Sequence, residues 1–108
     1  MVKFVAVVRR KEGLDFAEFR RLWCEEHPDL VLRMPGVRRY EQNLAYRGES
    51  RDWPMDGIAE VWFDDHTAMK RAFASPEGTA ATAHQDLFAG EVRWFVAEER
   101  TWDGGEGA

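Results

Sequence analysis

An α+β fold, a four-stranded antiparallel sheet carrying two helices on one face, is the architecture this sequence predicts. Three observations lead to it. Runs rich in β-branched and aromatic residues recur four times, and two amphipathic stretches separate them in the order strand, helix, strand, strand, helix, strand. The length, 108 residues, leaves room for one such unit. A chain of this size buries roughly 65% of its unfolded surface, enough for a core without disulfides or metal. A single domain over residues 1–100 is therefore expected. The glycine-rich, acidic stretch at 101–108 reads as a flexible tail.

The first strand is Lys3-Phe4-Val5-Ala6-Val7-Val8, apolar on both faces as a covered strand should be. Gly13 breaks it. Asp15 suits a helix cap, with Glu18 three residues on to reach back and Leu14 to staple against Phe19. Phe16, Phe19, Trp23, His27, Leu30, Val31 and Met34 then fall on one helical stripe. Pro28 lies inside that stripe, so the helix should kink or restart there, and Pro35-Gly36 should end it.

Val37 to Tyr46 reads as a second strand with Tyr40, Gln42, Leu44 and Tyr46 on one face, followed by a polar loop from Arg47 to Asp56. Gly57 to Phe63 is a third strand. Asp64 or Asp65 caps a helix from about His66 to Ala74, and Ser75-Pro76 restarts it as far as about Phe88. Ala80, His84, Leu87 and Phe88 lie along one side of this second piece, and Val92 to Glu98 is the fourth strand. Packed once, this order gives the ferredoxin-like βαββαβ arrangement. Neither side of strands three and four reads as open to water, so the uncovered sheet face is expected to meet a second copy in a homodimer.

Charge excludes several function classes. Fifteen basic residues stand against 20 acidic ones, net −5, and no dense Lys/Arg block offers a footprint for nucleic acid. No apolar run approaches the ~18 residues a membrane span needs. Val2 to Val8 is interrupted by Lys3 and followed by charge, unlike a signal peptide, so a cytoplasmic location is expected. Cys24 is the only cysteine, and Glu25 and Glu26 beside it favour the protonated thiol. The three histidines are too dispersed for a local metal motif, glycine-rich phosphate loops are absent, and no serine has a nucleophile elbow around it. Proton transfer or simple binding remains.

Several short motifs occur in a telling order: Trp23-Cys24-Glu25-Glu26-His27, Pro35-Gly36-Val37-Arg38-Arg39-Tyr40, Gln42-Asn43, Asp56 through Asp64, and Ser75-Pro76-Glu77-Gly78 with Phe88 beyond. Across residues 3–99 the chain resembles the EthD-like family of dimeric α/β-barrel proteins. The resemblance implies a ferredoxin-like monomer, a dimer, and an apolar pocket between helices and sheet. Similar proteins include muconolactone-type isomerases, fungal polyketide decarboxylases and, more distantly, polyketide cyclases and cofactor-free monooxygenases. These act on small cyclic or aromatic molecules without a bound metal or nucleotide. The chain departs from the family at two points. His84 stands where aspartate is common, and proline follows His27 directly instead of one position later.

His27 leads the candidates because its place on the apolar stripe turns the imidazole toward the sheet, where it can accept and return a proton near neutral pH. The alternative is a core histidine satisfied by a carbonyl. His84 shares the apolar side of the second helix, so both rings can line one cavity and divide donor and acceptor roles; a helix-end histidine facing solvent is the competing account. His66, in the first turn of its helix, receives no role. Tyr40 can orient a substrate oxygen or serve as plain core. Glu60, flanked by Ile58 and Trp62, is either a desolvated acid–base group or the partner of Arg38, Arg39 or Arg93. Trp23, Trp62 and Phe88 offer flat walls for a ring, or are simply core.

The expected function is cofactor-independent proton-transfer chemistry on a small hydrophobic cyclic or aromatic molecule. Isomerisation, cyclisation with dehydration, and decarboxylation all fit. His27 would be the acid–base group, with His84 or Glu60 as partner. A cofactor-free oxygenase and a non-catalytic ligand-binding accessory are the two alternatives.

Overall fold

The computed structural model describes residues 1–105. The chain folds as β1 (Val2–Arg10), α1 (Phe16–Arg20), a π-helical turn (Arg21–Glu26), α2 (His27–Leu32), β2 (Arg39–Leu44) and β3 (Gly57–Phe63). Then follow α3 (His66–Ala74), α4 (Pro76–His84), a 3-10 turn (Gln85–Leu87) and β4 (Ala89–Ala97). The strands form one antiparallel sheet in the order β2-β3-β1-β4, the ferredoxin-like topology. A single chain supplies an open sheet, not a closed barrel. Among the described residues no helix is long and apolar enough to cross a membrane.

Local chemistry sets the helix starts. Asp15 caps α1 by accepting from the Glu18 N–H at 2.8 Å, Asp65 caps α3 from Ala68 at 2.7 Å, and Ser75 caps α4 from Gly78 at 3.0 Å. Glu18 does not reach back to complete a capping box; its carboxylate is held by Arg21 instead. Pro28 lacks the N–H that an unbroken α-helix would need. The chain meets this with the π turn, in which the His27 N–H bonds the Leu22 carbonyl, and Pro28 then occupies the first turn of α2. Gly36 ends the segment with φ at +84°, a conformation costly for other residues.

Strand register sorts the side chains. Ala6 sits opposite Ala59 and Trp94, and Tyr40 opposite Val61, all on the face that the helices cover. Phe19, Trp23 and Phe88 form one part of the core on that face, and Val31, Met34, Phe63 and Met69 another. Gly57 leaves room for the Trp23 indole, since a Cβ there would lie 2.4 Å from the ring. On the other face stand Lys3, Ile58, Glu60, Trp62 and Phe95, with Phe95 55% exposed.

Several elements differ from the sequence reading. The second strand is shorter than Val37 to Tyr46, and Tyr46 lies exposed in the following loop. The restarted helix stops at His84, and the 3-10 turn swings Leu87 outward while Phe88 points in. Ala81, not Ala80, faces the core, because the restart at Pro76 resets the helical phase. The fourth strand begins at Ala89, before Val92. Residues 101–105 of the expected tail are exposed and lack regular structure; residues 106–108 lie outside the described residues.

Candidate functional site

The first helical segment carries Trp23 and His27 toward the sheet, one turn apart across the π turn. His27 is 4% exposed, the one buried polar side chain among the described residues. A buried polar group needs a partner, and His27 finds it 57 residues away. Its Nδ1 lies 3.0 Å from Nδ1 of His84 at the end of α4. The rings are 19° apart with centroids separated by 5.2 Å, so they meet edge to edge through these nitrogens. Phe88 packs against both imidazoles, its centroid 5.2 Å from His27 and 5.7 Å from His84.

His84 continues the network outward. Its Nε2 is 3.2 Å from a carboxylate oxygen of Glu26, and Glu26 in turn accepts from Arg21 at 2.6 Å. The His84 contact, with Arg21 next, holds the Glu26 carboxyl below its usual range. Burial, assisted by the neighbouring His84, pushes His27 down from 6.5 to about 4. At neutral pH the buried ring is an uncharged imidazole able to accept a proton.

This depression has a consequence for stability. In the unfolded chain the ring protonates near 6.5, so as the pH falls the unfolded state takes up the proton first. The stabilisation is fully present above pH 6.5 and is lost as the pH falls toward 4. Between pH 7.5 and 4.5 it amounts to on the order of 2–3 kcal/mol. Urea unfolding at both pH values should show this loss, and His27→Leu should remove it from the difference. An unchanged pH dependence in the variant would contradict the assignment.

Tyr40 projects from β2 on the same sheet face. Burial pushes its phenol up to about 12, so the hydroxyl stays protonated and able to donate. Gln42 orients it: the amide Nε2 donates to the Tyr40 oxygen at 2.8 Å and to the Trp23 carbonyl at 2.8 Å. Trp23, His27, Tyr40 and Phe88 together line a small, mostly apolar cavity of about 40 Å³ between helices and sheet. That is room for about one water. Beyond a partition of Phe4, Phe73, Thr82 and Gln85 lies an open cleft of about 520 Å³, bounded by Met69, Lys70, Val92 and Trp94. Three further concavities, of about 460, 520 and 680 Å³, are lined by no histidine.

The structure thus brings together five of the residues singled out in the sequence: Trp23, His27, Tyr40, His84 and Phe88. Glu60 and Trp62 stand on the opposite sheet face and cannot reach His27. Glu60 pairs with Lys3 at 3.2 Å rather than with an arginine. Trp62 lies between Lys3 and Arg39 and donates its indole N–H to Glu99 at 3.0 Å. His66 is exposed. Burial, with Glu25 also contributing, raises the Cys24 thiol despite Arg20, so it stays protonated. Glu26 and Gln42 are the functional-looking residues that sequence reasoning missed. Gln42 was traceable, since it alternates onto the Tyr40 face. Glu26 was not, because adjacent helical residues ordinarily point apart.

Comparison with known proteins adds kinship. A family model described as the EthD domain matches residues 11–92. An uncharacterised 11.0 kDa protein from the thcB-thcC intergenic region of Rhodococcus erythropolis is 30% identical over 88 residues, 81% of this chain and 85% of that protein. The 4-carboxymethyl-4-methylbutenolide mutase of Pseudomonas reinekei is 26% identical over 107 residues, covering 92% of this chain and 98% of the mutase. The crystal structure of an ethyl tert-butyl ether D (EthD) family protein from Bacillus halodurans superposes with a TM-score of 0.79. It is 25% identical, covering 93% of this chain and 99% of the other.

Proposed function

The chain belongs to the EthD family, and from that premise and its paired imidazoles we propose that it catalyses cofactor-free proton transfer on a small apolar cyclic molecule. The observation that carries this reading is the buried, neutral His27, hydrogen-bonded to His84, in the wall of a mostly apolar cavity that Tyr40 also lines. His27 accepts a proton from a carbon next to a carbonyl and returns it elsewhere. Tyr40 donates to the oxygen where negative charge develops. Likeness to a mutase acting on a butenolide agrees with isomerisation as the reaction class. The protein works as a cytoplasmic homodimer closed sheet to sheet, with Glu60 and Trp62 in the interface; the half-apolar sheet face around Phe95 supports this.

The assay is deuterium incorporation. Wild-type protein in D2O is incubated with 4-carboxymethyl-4-methylbutenolide and with a set of phenolic and lactone rings, and exchange is followed by NMR while an electrode reads oxygen. Exchange or rearrangement without oxygen uptake supports the proposal. Oxygen consumed in step with product would replace it with the oxygenase reading. Saturable binding without exchange across the set would replace it with a ligand-binding accessory.

A cavity of about 40 Å³ is far below the roughly 300–1,000 Å³ of small-molecule sites. The ring must therefore enter from the outer cleft, and Phe73 in the partition must move aside. Phe73→Ala, which merges the two spaces, should tighten binding of 2-naphthol several-fold, read by quenching of tryptophan fluorescence. Phe73→Trp should weaken it. Equal affinity in both variants would place the access route elsewhere.

A further inference from the structure

We propose that Glu26 is a positioning residue, and that Glu26, His84 and His27 form a relay that presents the bare Nε2 of His27 to the cavity and carries an accepted proton's charge outward to His84. The inference rests on the acid–base reading above and specifies how that site works.

The outer end of the network fixes the hydrogens. An ionised carboxylate only accepts hydrogen bonds, so the contact between Glu26 Oε1 and His84 Nε2, 3.2 Å, puts a hydrogen on that nitrogen. A neutral His84 with Nε2–H has a bare Nδ1. The 3.0 Å contact between the two Nδ1 atoms can hold only one hydrogen, and it then belongs to His27. A neutral His27 with Nδ1–H has a bare Nε2, and among the described residues the ring's hydrogen bond runs through Nδ1 alone. The carboxylate thereby selects the tautomer of a ring it does not touch.

The same geometry explains how a ring so disfavoured as a cation serves as a base. When a substrate C–H bond breaks and a new N–H bond forms at His27 Nε2, the Nδ1–H bond of His27 breaks and one forms at His84 Nδ1. The positive charge moves across 3.0 Å to His84, and His27 is left neutral with its hydrogen on Nε2, ready to return it to another carbon. The return reverses each transfer, and no electrons are exchanged with a co-reactant.

His84 has a carboxylate beside it to face a cation. Glu26 faces it from the π turn, with Arg21 behind that carboxylate; His27 faces it from α2; Phe88 beyond the 3-10 turn is apolar. Arg21 is itself shared with Glu18, which keeps it from opposing a cation at His84 outright.

Long-range proton–nitrogen NMR on the uniformly 15N-labelled full chain at pH 7.5 tests the tautomers without any substrate. The expected pattern is Nδ1–H and bare Nε2 for His27, with bare Nδ1 and Nε2–H for His84. Glu26→Leu, at an exposed position that should not disturb folding, removes the acceptor and should mix the tautomers of both rings. Glu26→Gln keeps an acceptor oxygen, so it should preserve the tautomers but slow deuterium exchange by removing the countercharge. A wild-type His27 with its hydrogen on Nε2, or ring spectra unchanged in Glu26→Leu, overturns the relay. These outcomes are independent of turnover: the expected tautomers without exchange on any ring would remove the acid–base reading alone, and exchange with the opposite tautomers would remove the relay alone.

Discussion

His27→Ala is expected to lower the rate of deuterium exchange by about 100-fold or more, the usual worth of a positioned general acid–base group. The variant keeps the cavity and Tyr40, so binding of 2-naphthol should persist while exchange fails. This split separates lost chemistry from a lost site. Folding should survive: the substitution removes a ring whose burial already opposes protonation, and Phe88, Trp23 and Phe19 still hold the helix to the sheet. Small imidazoles added to the variant should restore part of the rate, because truncation leaves a hole beside His84. Exchange at the wild-type rate in a correctly folded His27→Ala protein would end the assignment of His27 as the acid–base group.

Phe88→Ala should have the largest effect on stability, about 3–5 kcal/mol. The ring is fully buried, packs 5.9 Å from Phe19 by centroids, and covers both imidazoles. Its removal costs the transfer energy of the ring and leaves a hole where helix, 3-10 turn and sheet converge. Domains of this size unfold with roughly 5–15 kcal/mol in hand, so the variant should keep the fold only marginally. The melting temperature should drop by at least ~12 °C in calorimetry. Phe88→Leu, which refills much of the volume, should recover more than half of the loss. A drop of only a few degrees for the alanine variant would mean that the dyad is supported from elsewhere.

Much of this architecture was legible in local patterns. Asp15, Asp65 and Ser75 cap the helices anticipated for them, since capping depends on a side chain and an N–H three residues away. The stripe from Phe16 to Met34 was readable at the 3.6-residue period, and Pro28 marked its interruption. The form of that interruption was not readable, because a π turn satisfies the missing N–H in a way no propensity signals. Strand ends were less legible still. Tyr46 continues the alternation of β2 yet lies outside it, as β3 begins pairing only at Leu44 opposite Gly57.

The sequence by itself determined which residues share a face of each element, and so placed Trp23 with His27 and Tyr40 with Gln42. Periodicity is a property of neighbours along the chain. Only the tertiary structure decided which face of the sheet those residues share. Alternation on β3 defines two faces without labelling them, and packing put Ala59 and Val61 under the helices and Glu60 and Trp62 on the reverse. It also decided that His84 would meet His27, and that Glu26 would reach His84 from beside it, contacts 57 and 58 residues apart. Such contacts depend on how two helices lie across one sheet, a balance of burial summed over the whole core rather than a pattern written in either segment.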